Sequence, residues 1–147
     1  MTPAELRTKL SVIEPTEAMY EGIGPGDIAS LEQMVSDREE WMASRAVFAL
    51  SRVGGTEAVS VLARAATDNR APVRVAVAAA VSQRAIVLPD AALVRLLNDN
   101  DAGVRKFATQ AVKSGNSEDA RALLRRMSKD DAVSTVRENA VEALRKL

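Results

Sequence analysis

The sequence predicts an all-α protein assembled as a stack of helical hairpins, and three observations predict it. An aspartate returns at a near-constant interval, at Asp37, Asp68, Asp99 and Asp131, with spacings of 31, 31 and 32 residues. On both sides of each aspartate the apolar residues recur at helical rather than alternating spacing. Those apolar residues are mostly small: 47% of the chain is hydrophobic but only 3% is aromatic. That mixture suits helices at close approach better than a core built around large rings.

At the N-terminus, "TPAELRTKLSVI" offers Thr2 as helix cap, Pro3 at the first helical position and Glu5 as the reciprocal acid of a capping box. Leu6, Leu10 and Ile13 give this helix one apolar face. Ala18-Met19 stand 31 residues before Ala49-Leu50, so "PTEAMYEGIG" is expected to be a shortened second helix of a degenerate unit. Residues 1–24 thus form a cap and half-repeat over one end of the stack, where a repeat array would otherwise expose an apolar side.

Residues 25–147 divide into four hairpins, about 25–54, 55–86, 87–115 and 116–147. Their first helices are marked by Ile28, Leu31, Met34 and Val35; by Val59, Leu62 and Ala66; by Leu93, Leu96 and Leu97; and by Leu123, Leu124 and Met127. Six residues after each aspartate stand Ala43, Arg74, Arg105 and Arg137. Counting from these, the residue before is Met or Val, the third after is Ala or Val, the sixth is always Ala, and the seventh is Leu or Val. Those offsets lie on one side of a 3.6-residue helix. The run "DNRAPVRVAVAAAV" is apolar around much of its circumference, as a helix held between two neighbours must be.

Punctuation agrees with these units. Gly54-Gly55 and Gly115 are expected to end second helices in the left-handed conformation, and Thr56, Asp90 and Ser117 to cap the following first helices, with Pro89 as a break. The junction "SQRAIVLPD" has no glycine and is longer, a place for the array to bend. Each arginine sits one turn beyond its aspartate, placed to pair with an Asp of its own or an adjacent unit. Asp37, Asp68, Arg74, Asp99, Arg105, Asp131 and Arg137 therefore read as a structural ladder, because a catalytic group does not recur in every repeat. Ala43 interrupts the ladder, and Arg45 is the expected substitute.

The pattern D-x5-R with a preceding Val, then Ala at the third and sixth positions and Leu or Val at the seventh, resembles short HEAT and HEAT-like repeats. The nearest flavour is the type of roughly 30 residues named after phycobilisome lyases. "DAVSTVRENAVEALRKL" matches best, followed by "DNDAGVRKFATQAVKSG" and "DNRAPVRVAVAAAVSQ". The resemblance covers about residues 25–147. It implies a right-handed α-solenoid, an armadillo-like superhelix, whose second helices line the concave side. It does not imply lyase activity, since such repeats serve unrelated functions.

Function is bounded mainly by exclusion. The chain has no Cys and no His, which removes thiolate chemistry, the commonest general base and the commonest metal ligand. "GIGPGD" follows no strand, so it is no phosphate loop, and Asp99-Asp101 and Asp130-Asp131 lack the ligand density of a calcium loop. A non-enzymatic protein without metal or cofactor is expected. No apolar run reaches membrane-spanning length and "MTPAELRTKL" lacks the apolar h-region of a signal peptide, so a cytoplasmic setting is expected.

Formal net charge is zero, but residues 1–37 carry seven acids against two bases, and residues 101–147 carry ten bases against seven acids. Solvated ends of opposite sign, in a monomer or a weakly self-associating chain, are expected; head-to-tail association is the alternative. The binding candidate is the concave face: Trp41, Ser44, Arg45 and Phe48, then Val75 and Ala79, then Lys106, Phe107 and Gln110. It is small or apolar in the first two units and charged in the last two. A protein or peptide partner fits it best. The alternatives are a bilin-lyase-like tetrapyrrole-binding role and nucleic-acid binding, the latter opposed by zero net charge and by Glu138 and Glu142.

Overall fold

The computed structural model describes residues 1–147. Nine α-helices run in order: α1 (Pro3–Leu10), α2 (Ile28–Val35), α3 (Glu40–Val53), α4 (Gly55–Ala65), α5 (Ala71–Ser82), α6 (Asp90–Leu97), α7 (Ala102–Ala111), α8 (Glu118–Asp130) and α9 (Ser134–Lys146). Two 3-10 turns, Glu17–Tyr20 and Pro25–Asp27, lie between α1 and α2, and there are no strands. No helix is long and apolar enough to cross a membrane.

The helices form a two-layered α-solenoid. In one layer α3, α5, α7 and α9 lie side by side, each packed closely against the next; in the other α2, α4, α6 and α8 touch each other much more sparsely. Residue size explains the difference. The close layer meets through alanines, among them Ala46 and Ala49 on α3, Ala76 and Ala80 on α5, Ala108 and Ala111 on α7, and Ala140 and Ala143 on α9, all buried. Leu31, Leu62, Leu93, Leu96, Leu97 and Leu124 come from the sparse layer and are almost wholly buried. One continuous aliphatic core runs from Leu6 to Ala143.

Several ends differ in detail from the sequence expectation. Thr2 does form the capping box: its hydroxyl accepts the Glu5 amide at 3.1 Å, while the Glu5 carboxylate accepts the Thr2 amide at 2.8 Å. Gly54 and Gly55 have φ of +67° and +81°, so the tight step from α3 into α4 does need glycine. Gly115 is not such a cap. α7 ends in extended backbone at Val112, and Asn116 closes the junction instead. Its amide donates to the Leu88 carbonyl and the Asp90 carboxylate at 3.0 Å each, and its carbonyl accepts the Lys113 amide at 2.9 Å. Asp90 is thus spent on the next junction, and neither Thr56 nor Ser117 caps through its side chain. "PTEAMYEGIG" forms only the 3-10 turn Glu17–Tyr20, which buries Met19. In the longer junction between α5 and α6, Ile86 and Leu88 turn inward and become core.

The turns are tied to one another by a repeated set of hydrogen bonds. Asp37, Asp68, Asp99 and Asp131 each accept the amide two residues on, from Glu39, Arg70, Asp101 and Val133, at 2.9, 2.9, 2.9 and 3.0 Å. Arg74 then reaches forward and grips both oxygens of Asp99, at 2.7 and 3.1 Å, while its third nitrogen donates to the Asp68 carbonyl at 2.9 Å. Arg105 repeats this on Asp131, at 2.9 and 3.2 Å, and on the Asp99 carbonyl at 2.9 Å. Each arginine therefore clamps its own turn to the next one with bidentate geometry.

Where Ala43 breaks the series, Arg70 fills the gap, not Arg45. Arg70 projects back from the following turn. It grips Asp68 at 3.0 and 3.0 Å and donates to the Asp37 and Val35 carbonyls at 2.6 and 2.7 Å. Two of these acceptors, the Asp37 carbonyl and the Asp68 carboxylate, correspond to those Arg74 and Arg105 take in their own units, reached from the opposite side. Asp37 in turn receives Arg7 of α1 at 2.6 Å. Arg45 is used elsewhere, on the carbonyls of Leu10, Val12 and Ile13 in the N-terminal segment.

Titration of the ladder follows from these contacts. Arg70 holds the Asp68 carboxyl below its ordinary value. At Asp99 and Asp131 burial pushes the carboxyl up, but the guanidinium and the turn amide outweigh it and the net shift is downward. Arg74 and Arg105 are raised by the same pairs. A depressed carboxyl contributes stability that is present above its unfolded pKa of about 3.9 and is lost as pH falls through the lower folded value.

Three outcomes follow for folding. Leu93→Ala and Leu124→Ala, at positions with no exposure, are expected to cost about 2–5 kcal/mol each in denaturant titration. Arg105→Ala, which leaves Asp131 with the Val133 amide but no guanidinium, is expected to cost roughly 1–3 kcal/mol. Stability measured against pH is expected to fall below about pH 4, and Asp99→Asn is expected to flatten part of that fall.

Candidate binding face

The close layer carries all nine residues singled out in the sequence. Trp41, Ser44, Arg45 and Phe48 lie on α3, Val75 and Ala79 on α5, and Lys106, Phe107 and Gln110 on α7. Trp41 and Gln110 are exposed; Ser44, Arg45, Phe48, Val75, Lys106 and Phe107 are half-buried; Ala79 is buried and forms floor rather than surface. Helical geometry puts Trp41, Arg45, Phe48 and Arg52 in one stripe along α3, at successive steps of three or four residues. Phe48, Val75 and Phe107 each rest against the aliphatic core with part of the side chain outside it.

The four aromatic residues share one property. None belongs to the buried core: Trp41 is 45% exposed, and Tyr20, Phe48 and Phe107 only border the core cluster. Three of them stand beside cations. Arg45 lies 5.5 Å from the Trp41 ring centre, Arg52 lies 4.3 Å from that of Tyr20, and Lys106 lies 5.8 Å from that of Phe107. Arg45 is fixed by the N-terminal carbonyls, and Trp41 donates its indole N–H to Glu39 at 2.5 Å. Arg52 pairs with Glu17 at 2.5 Å. The N-terminal segment therefore braces the α3 stripe and takes up the polar ends of its arginines. Burial pushes the Tyr20 phenol up.

Further along the layer the face becomes polar. Gln110 donates to Asn139 at 2.7 Å, linking α7 to α9. Lys113 lays its ammonium against the Val81 and Ser82 carbonyls at the end of α5, at 3.2 and 3.3 Å. With no carboxylate beside it, burial lowers its pKa. An open cavity of about 500 Å³ lies here, lined by Ser82, Gln110, Lys113, Asn139, Glu142 and Lys146 among others. Sequence reasoning placed Lys113 among the outward positions of this face but did not single out Asn139. Its signal was the offset from the ladder position, which places Asn139 opposite Gln110 on the neighbouring helix.

The turn carboxylates offer no free acid-base pair, because each is occupied by a guanidinium and a backbone amide. What the geometry provides is a rigid, ribbed surface with aromatic side chains at one end and amide and ammonium groups at the other.

Comparison with known proteins places this architecture. Residues 89–145 match the family model for HEAT repeats. Two engineered proteins of known crystal structure align with 95% of this chain and 78% of theirs, at 20% and 19% identity and a TM-score of 0.57 in both cases, a likeness of fold. No curated protein matches the sequence. The HEAT-repeat match thus covers α6–α9, and the same stacked architecture extends back through α2.

Proposed function

We propose that the protein is a non-enzymatic interaction module that holds a protein or peptide partner along the exposed face of α3, α5 and α7. Four hairpins, about 25–54, 55–86, 87–115 and 116–147, supply the array, and residues 1–24 cap it. The observation that carries this reading is the placement of the aromatics. A protein with four aromatic side chains that builds its whole core from aliphatics and methionine leaves all four at or near the surface. Aromatic side chains on a rigid surface are the residues that anchor partners most often. The close spacing of α3, α5, α7 and α9 supports a second part of the proposal. An array bends toward its more tightly spaced layer, so this face is the concave one, the side on which stacked-repeat proteins take extended partners.

The division of the face gives the partner a polarity. An apolar or aromatic side chain of the partner belongs beside Trp41 and Phe48, and hydrogen-bonding or anionic groups belong beside Lys106 and Gln110. The test is affinity capture from the native host, comparing the wild-type chain with Phe48→Asp and Trp41→Ala. Loss of a shared partner in both variants is expected, with an affinity for that partner weakened about 30-fold or more if either is an anchor worth roughly 2 kcal/mol. Identical recovery by all three proteins contradicts the reading.

A further inference from the structure

The segment that crosses α3 is held by two arginines and by little else. Between the buried anchors Leu10 and Met19, every residue from Ser11 to Ala18 is exposed, and Ile13 is 95% exposed. None of the backbone amides from Val12 to Thr16 donates to another residue. Arg45 donates to the carbonyls of Leu10 and Ile13 at 2.7 and 3.4 Å, and to that of Val12 between them. Arg52 donates to both oxygens of Glu17, at 3.2 and 2.5 Å. Both ties are weak. Arg45 meets three neutral acceptors, and an ionised one holds a guanidinium about twice as strongly. The Glu17 side chain is 74% exposed, and an ion pair so open to water holds little.

We propose that residues 11–18 are a strap that an acidic, extended segment of a partner protein displaces, taking over Arg45 and Arg52. The strap itself displays the occupant's chemistry, an irregular chain that offers oxygens to Arg45 and a carboxylate to Arg52. A partner with a carboxylate for each arginine gains at Arg45, where the strap supplies only carbonyls. Release carries Glu14 and Glu17 away with the strap, so the stripe turns from charge-balanced to positive. Arg45 and Arg52 stand seven residues apart on α3, a rise of about 10.5 Å. About three residues of extended chain span that distance, which sets the spacing of the partner's acids. The guanidiniums keep their orientation when the strap leaves, because each rests against a ring outside it, Trp41 at 5.5 Å and Tyr20 at 4.3 Å. The strap crosses the α3 stripe, so the proposal rests on the reading of that face as the partner's and adds the partner's charge.

The test titrates the whole chain with hexaglutamate, followed by NMR, with hexalysine and hexathymidylate at the same ionic strength as comparisons. Hexaglutamate is expected to shift the Nε–H signals of Arg45 and Arg52 and to give the amides between Val12 and Glu17 the narrow lines of a free chain. Glu17→Gln, which removes the strap's own acid, should tighten hexaglutamate binding about threefold. Glu21→Gln removes the same charge from an exposed acid that pairs with nothing, and should change it little. Equal effects of the two substitutions, or binding that leaves residues 12–17 in place, overturn the proposal. So does a strap displaced by hexathymidylate or hexalysine but not by hexaglutamate; the first of these assigns the arginines to phosphate. A strap unmoved by hexaglutamate while Trp41→Ala loses the native partner overturns the strap alone. A strap that moves while Trp41→Ala and Phe48→Asp keep every partner supports displacement and overturns only the aromatic anchors.

Discussion

The structure depends on one repeated link: an arginine that holds its own turn by a carbonyl and the neighbouring turn by a carboxylate. Arg74 and Arg105 supply it from the second helix of a hairpin, Arg70 supplies it from the turn ahead, and α1 contributes Arg7 at the start of the series. The link adds directional contacts to a core whose close layer meets largely through alanines. A bidentate guanidinium with turn carbonyls behind it defines both distance and register. The aspartate is shared between folding its own turn and receiving its neighbour, so local and tertiary structure are specified by the same side chain.

The same economy shapes the candidate face. Helices lined with alanine approach closely and bring the rows of outward side chains on α3, α5 and α7 near enough to act as one surface. Because aliphatics and methionine fill the core, the aromatics remain free to border the surface, where Arg45, Arg52 and Lys106 stand beside three of them. The N-terminal segment is both cap and brace: it buries Leu6 and Leu10 and engages Arg45 and Arg52, steadying the stripe that carries Trp41 and Phe48.

Much of this was legible in the residues. The 31-residue return of aspartate and the invariant alanine six places past the ladder position declare helical hairpins, because a solenoid has to repeat its contacts to repeat its shape. Substitutions between non-equivalent positions were not legible. Arg70 does the work of an arginine at position 43 because a long side chain reaches the same acceptors from either side. A reading by register looks only for replacements on the same helix, and it pointed to Arg45. Asn116 replaces a glycine cap for a similar reason: a buried amide satisfies junction groups that backbone geometry satisfies elsewhere. At the candidate face, Trp41, Phe48 and the α7 residues were found by their offsets, but burial of Ala79 depends on how closely α5 sits among its neighbours, which no offset encodes.

A double-mutant cycle probes the central claim, that stability is passed from each hairpin to the next through these links. Equilibrium unfolding of Arg74→Ala, Asp99→Asn and the pair should give a coupling energy of about 0.5–3 kcal/mol, while the matching cycle between Arg74 and Asp131, two turns along, should give none. Equal couplings in both cycles, or no coupling in the first, would mean that the turns are not joined in sequence.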